Sequence, residues 1–258
     1  MSERREYQRD FSQIHPVTMF DELWRLQKAR KTVRVLLDAA QSAGLDPAGA
    51  RALDIGCSTG ILTRHYAEFF GEVVGVDIDE GAVDWARLNR AADNISYRVG
   101  DSMELPFPDG DFEIVTCTHI YEHVPDAQQM LNEIFRVLKP GGFCFIAAGN
   151  RLRLWEGHHN LPLLSLLPKP LGHLYVRLAG KGDRYYETHH TVWGLRRLAR
   201  RFEIIDYTTS VVRDPEKFEA TDIMRPGTIK QKVALVTLGI AYWVFPTYLW
   251  ILRKPSES

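Results

Sequence analysis

Between residues 52 and 148 the chain alternates short, continuous apolar runs with longer stretches of helical apolar spacing, and this alternation constrains the fold most. The runs are ALDI (52–55), VVGVD (73–77), ISYRV (95–99), FEIVTC (112–117) and FCFIAA (143–148). Between them lie the helical stripe Leu62, Tyr66, Phe69 and Phe70, the segment Ala82 to Ala92, and the stripe Ala127, Met130, Leu131, Ile134 and Leu138. A strand with one wet face would alternate apolar and polar residues; apart from ISYRV, these do not. They predict a parallel sheet covered by helices on both faces, the doubly wound α/β class. With 258 residues the chain is long enough to bury one sizeable core.

The flanks extend that frame. Residues 1–48 carry an N-terminal helix, with helical apolar spacing from Met19 to Ala43 closed by Gly44 and Asp46-Pro47. Lys139-Pro140-Gly141-Gly142 reads as a type II turn. Residues 151–190, with Pro162, Pro168 and Pro170, break the rhythm and are expected to cap the substrate side. A helix resumes at Thr191. Residues 202–212, beginning FEIIDYTT, and 247–253 are expected to be the last two strands. The run Val233–Leu252 is apolar over 20 residues, the length of a membrane span, but Pro246 divides it and Thr247–Leu252 has strand composition. The expectation is a helix over 229–244 within a second cap segment, 213–245. Its apolar face gives a candidate peripheral membrane contact through 229–245.

Charge is uneven. Residues 1–150 hold 15 Lys and Arg against 23 Asp and Glu, whereas residues 151–201 hold 10 against 3. The whole-chain balance of −1 excludes a strongly basic nucleic-acid binder, and the local positive excess suits an anionic acceptor or a membrane surface. Cys57, Cys117 and Cys144 sit far apart and read as reduced thiols of a cytoplasmic protein.

The stretch LDIGCSTG (53–60) joins the first strand to the first helix of the alternation. Glycines there let backbone approach a ligand, and the helix start offers unpaired N–H groups. The dinucleotide pattern G-x-G-x-x-G fails at Ser58 and Ile61. Gly56-Cys57-Ser58-Thr59-Gly60 matches G-x-S-x-G literally, which leaves a serine hydrolase using Ser58 as one alternative.

More of the chain resembles the class I S-adenosylmethionine-dependent methyltransferases. The resemblance rests on the D-x-G-x-[GS]-x-G-type turn at 54–60, on VVGVDID (73–79), on VGDSMELPFPDGDFEIV (99–115), on HIYEHVPD (119–126) and on EIFRVLKPGG (133–142). It covers residues 49–150 and departs from the family at Ser58, where Gly is usual. It implies a single domain of the Rossmann-like methyltransferase fold, with a seven-stranded, mainly parallel sheet and helical cap insertions. S-adenosyl-L-methionine is the implied cofactor, held by Asp54, Gly56, Cys57, Ser58, Gly60, Asp77, Ile78, Asp101, Ser102, Met103 and Thr118. In that reading Asp77 takes the ribose hydroxyls, Asp101 the adenine amine, and Ile78 with Met103 sandwich the ring. His119, Tyr121 and His123, after the fourth strand, are the acid–base candidates. The expected acceptor is a small molecule, glycan or lipid-linked compound methylated at oxygen. The other alternative is a non-catalytic scaffold of this fold at a membrane surface. His158-His159 and His189-His190 match no chelating spacing, so no metal is expected; with Arg184 they are read as acceptor contacts.

Overall fold

The computed structural model describes residues 11–14 and 19–256. Residues 1–10, part of the segment expected to carry the N-terminal helix, lie outside the described residues. Helix α1 is Glu22–Ala43, started by Asp21, whose side chain accepts from Trp24 N, and ended by Gly44 at φ 67°. Its buried face, with Ala29, Val33, Leu36 and Ala40, belongs to a core cluster with Tyr66 and Phe145.

The core then follows in order: β1 (Arg51–Ile55), α2 (Ile61–Tyr66), β2 (Glu72–Asp77), α3 (Glu80–Asn89), β3 (Ile95–Val99), β4 (Phe112–Thr118), α4 (Ala127–Val137) and β5 (Leu138–Gly149). After β5 and a short hairpin come α5 (Lys169–Leu178), α6 (Val192–Leu198), β6 (Glu203–Asp206), α7 (Thr208–Arg213), α8 (Ile229–Ile240) and β7 (Thr247–Arg253). The seven strands form one sheet in the order β3-β2-β1-β4-β5-β7-β6. Strands β1 to β5 pair in parallel, and β7 runs antiparallel to both β5 and β6.

Neighbouring residues of one strand enter opposite layers, which is why the inner strands read as unbroken apolar runs. Val115 and Cys117 pack in one layer and Ile114 in the other; Trp250 and Leu252 pack in one and Ile251 in the other. Each fully buried aliphatic side chain contributes about 1.5–3 kcal/mol.

Three expectations change. Strand β6 stops at Asp206 rather than continuing to 212. The Asp206 carboxylate accepts from Thr208 N, and the Thr208 hydroxyl takes the Leu249 N–H that a longer strand would pair, so the chain turns into α7. Lys139–Gly142 is not a free turn but an irregularity inside β5, where pairing jumps from Phe112–Leu138 to Ile114–Phe143 with Gly141 at φ 78°. Finally, residues 213–245 do not roof the site. They pack with α7 and reach α1 through the ion pairs Arg34–Glu219 and Lys31–Asp222.

Residues 151–190, the expected cap, hold a small hairpin (Trp155–Glu156 with Leu161–Pro162) and α5 around a core of Leu161, Leu164, Val176 and Tyr185. Among the described residues no helix is long and apolar enough to cross a membrane.

Candidate active site

The carboxyl ends of β1, β2 and β4 open into a cavity of about 670 Å³, the place where open parallel sheets hold ligands. Its floor is the 56–60 turn. Gly56 N and Cys57 N both donate to Val76 O, which folds the turn back over β2. Gly56 sits at φ 75°, and a Cβ there would fall 2.2 Å from Ile120 Cδ1, so glycine is required twice over. Ser58 N donates to Asp77 Oδ2 at 2.8 Å, while Asp79 N donates to Asp77 Oδ1 at 2.9 Å. Burial pushes the Asp77 carboxyl above its ordinary range against the pull of these amides. Asp101 is turned by the Met103 N–H, 2.8 Å from its Oδ1.

Gly56, Ser58, Asp77, Ile78, Asp101, Ser102, Thr118, His119 and His123 line the cavity as expected from sequence. Others do not reach it. Asp54 lies beneath, buried, accepting the hydroxyls of Thr63 and Thr116 at 2.6 and 2.7 Å; burial raises it to about 6. The Cys57 side chain points into a cluster with Val83, Ala86 and Tyr97. Gly60 starts α2 at φ 72° with the Tyr97 ring against it. Met103 packs in the main core and does not line the cavity. Tyr121 is buried. Its hydroxyl donates to Gly149 O and accepts from His190 N, a brace between the β4 loop and the cap rather than an acid–base group. Arg184 is not on the cavity wall, and His189 is buried against Arg153. The Ser58 hydroxyl points at Met19 Sδ, 3.5 Å away, and among the described residues no imidazole supports it as a nucleophile.

Further wall residues were not singled out from sequence. From α1 and the turn before it come Met19, Asp21, Trp24, Arg25 and Lys28; from the cap come Arg153 and Gly157, beside His158, which the sequence places at the acceptor. Arg25 is buried; its Nη1 reaches Met19 Sδ, and its Nε has no hydrogen-bond partner among the described residues. Such an orphaned buried donor beside the glycine turn suits a ligand carboxylate. One helical turn on, Lys28 lies 3.9 Å from the Trp24 ring centre, and burial together with the Arg25 charge pushes it down to about 8. The signal available in sequence was two cations at i, i+3 inside an amphipathic stripe.

The far wall is an imidazole–carboxylate cluster. His119, at φ 58°, holds Nδ1 3.4 Å from Glu122 Oε1. Burial lowers the His119 imidazole despite that carboxylate, and lowers His123 to about 4. Burial alone would raise Glu122, yet His119, His123 and His189 hold it well below the usual carboxylate range. A non-glycine residue in the left-handed region beside such a cluster is the kind of strain that functional loops retain.

A glycine turn after the first strand, a carboxylate ending the second and an open cavity between them define a doubly wound domain built for an adenosine-type ligand. Residues 53–146 match a family model described as a methyltransferase domain. The ubiquinone biosynthesis O-methyltransferase of Xanthomonas axonopodis pv. citri (strain 306) is 38% identical over 149 residues, covering 57% of this chain and 59% of that protein. Its namesake from Pseudomonas aeruginosa (strain LESB58) is 37% identical over 115 residues, 43% and 48% of the two chains. The chain thus spans between about half and three fifths of the length of these curated relatives. The S-adenosylmethionine dependent methyltransferase from Mesorhizobium loti shares the fold, with a TM-score of 0.54 at 17% identity over 84% of this chain and 96% of that one. So does the cyclase SpnF, with a TM-score of 0.53 at 20% identity over 88% and 82%. Over residues 53–146 the chain thus resembles a methyltransferase domain, and its fold is the one it shares with these S-adenosylmethionine-dependent methyltransferases.

Proposed function

We propose that the chain transfers the methyl group of S-adenosyl-L-methionine to an oxygen of a small acidic acceptor, a phenol, in line with relatives named for O-methylation in ubiquinone biosynthesis. The observation that carries this reading is the separation of charge within the cavity: Asp77 and Asp101 stand together at the ends of β2 and β3, while Lys28, His119, His123 and His158 gather around Glu122. The acidic end fits the cofactor. Asp77 retains lone pairs for two ribose hydroxyls beyond its two amide bonds, Asp101 accepts from the adenine amine, Ile78 packs on the ring, and the buried Arg25 guanidinium takes the carboxylate. When bound, the cofactor supplies an electrophilic methyl on a sulfonium.

The protein's own part is alignment and proton removal. Holding two reactants in line is worth about 7–11 kcal/mol of barrier. Burial keeps the His119 imidazole neutral at neutral pH, and Glu122 at Nδ1 leaves Nε2 to take the acceptor's proton. Lys28 stabilises the resulting oxyanion or a neighbouring carboxylate. The test is methyl transfer from radiolabelled cofactor to a panel of dihydroxybenzoates and hydroquinones. His119→Gln should lower kcat by about 10²–10⁴-fold with cofactor affinity kept. Wild-type turnover in that variant would remove His119 from the mechanism, and an inert wild type across the panel would remove the acceptor class.

A second reading concerns where the acceptor is met. On α8, Ile229, Val233, Val236 and Ile240 are exposed at i, i+4, i+7 and i+11, with Trp243 beyond them. This apolar stripe, beside Lys230 and Lys232, favours contact with an anionic lipid surface that holds a lipid-like acceptor.

A further inference from the structure

We propose that His123, His158 and Glu122 bind one divalent transition-metal ion at the acceptor end of the cavity. The site is additional to methyl transfer and does not depend on that reading. His123 Nε2 and His158 Nε2 face each other at 3.2 Å. Two imidazole nitrogens on one metal, each about 2.1 Å away at roughly 90–110°, stand about 3.0–3.4 Å apart, the same span.

The back of each ring fixes what the front can do. His158 Nδ1 lies 2.8 Å from Glu156 Oε1, which places the proton on Nδ1 and leaves the Nε2 lone pair forward. On His123, Nδ1 faces the buried Glu187 carboxylate at 3.9 Å. A cation between the two Nε2 atoms would take a lone pair from each in place of the proton they otherwise share. Glu122 offers the third donor. The ligand atoms of these three residues all lie within 4.8 Å of one another, and Glu122 Oε2 is buried with no hydrogen-bond partner among the described residues.

The neighbouring group Glu156, His158 and His189 differs. Arg153 Nη2 stands 2.9 Å from Glu156 Oε1 and 3.0 Å from His189 Nε2, so a guanidinium already fills that centre. Glu156 is thereby neutralised and orients His158 instead of ligating. Two imidazoles and a carboxylate select zinc, iron, manganese or cobalt over calcium or magnesium. His123 and His158 both line the cavity, which leaves coordination positions open to an acceptor oxygen. His123 comes from the loop after β4 and His158 from the cap, so the ion would also tie cap to core.

The experiment uses untagged full-length protein, stripped with EDTA and titrated calorimetrically with zinc and, separately, with cobalt, whose visible absorption reports its coordination. One equivalent should bind, with a cobalt spectrum of a nitrogen–oxygen site. His123→Gln and His158→Gln should each weaken binding at least tenfold, and His190→Gln, off the cavity wall, should not. His158→Gln lies on the half-buried hairpin and should leave thermal stability and S-adenosylmethionine binding intact. Failure of the metal site is thereby separable from failure of the methyl-transfer reading. Absence of saturable binding, or equal binding by the wild type and both ligand variants, would overturn the proposal, the two nitrogens then sharing a proton.

Discussion

Asp77 has each carboxylate oxygen fixed by an amide, from Ser58 and from Asp79, before any ligand arrives. Arg25 is its opposite, a buried guanidinium whose Nε is unsatisfied among the described residues. If it receives the cofactor carboxylate, Arg25→Met should weaken S-adenosylhomocysteine roughly 10- to 100-fold, the worth of a charge-assisted hydrogen bond, about 1.5–3 kcal/mol. Binding of the decarboxylated analogue should hardly change. Equal losses for both ligands in calorimetry would mean that Arg25 only supports the fold. Asp77, Asp101 and His119 were legible in sequence because each stands where a strand stops and chain turns toward ligand. Cys57, Met103 and Tyr121 were not, because a position within a motif does not tell which way a side chain points. Cys57 and Met103 point into apolar clusters, and Tyr121 spends its hydroxyl on Gly149 and His190.

Among the elements, α1 does two jobs. One face packs Ala29, Val33 and Leu36 into the core, and its first turns bring Trp24, Arg25 and Lys28 to the cavity. Periodicity gave the helix and its core face, but not that its N-terminal end would reach the strand ends. Four strands of the alternation were legible for a firm reason: both faces are buried, so the apolar run is nearly continuous, whereas the edge strand β3 buries only Tyr97 and reads as alternating. β6 was overread because Tyr207–Val212 has strand composition, and only the Asp206 and Thr208 side chains, by capturing backbone N–H groups, end the ladder. The separation of α8 from β7 followed from Pro246. Its exposed stripe makes a prediction at this scale. Val233→Glu with Ile240→Glu should lower co-sedimentation with anionic vesicles at least several-fold while leaving the melting temperature unchanged, since both side chains are more than half exposed. Unchanged sedimentation would remove the lipid-surface reading.

Across the whole molecule, cap and sheet are joined by buried polar contacts rather than by a shared apolar core. Leu152 N donates to Asn150 Oδ1, Thr188 N donates to Glu122 O, and Tyr121 links Gly149 to His190. Tyr121→Phe leaves two buried backbone groups short of a partner and should cost about 1–3 kcal/mol in denaturant unfolding. Cofactor affinity should be kept, whereas a loss of turnover without a loss of stability would return Tyr121 to the chemistry. The basic excess of residues 151–201 was legible, but its meaning was not. Arg153 enters the cavity wall and neutralises Glu156, whereas Arg184 stays off that wall.

S-adenosyl-L-methionine is proposed to lie in the cavity whose acidic end is Asp77. Calorimetry of the cofactor with the wild type and with Asp77→Ala tests it most directly. Removing a carboxylate that accepts two ribose hydroxyls should cost about 3 kcal/mol or more, a loss of over 100-fold. Absence of binding by the wild type, or equal binding by Asp77→Ala in a folded state, would contradict the account.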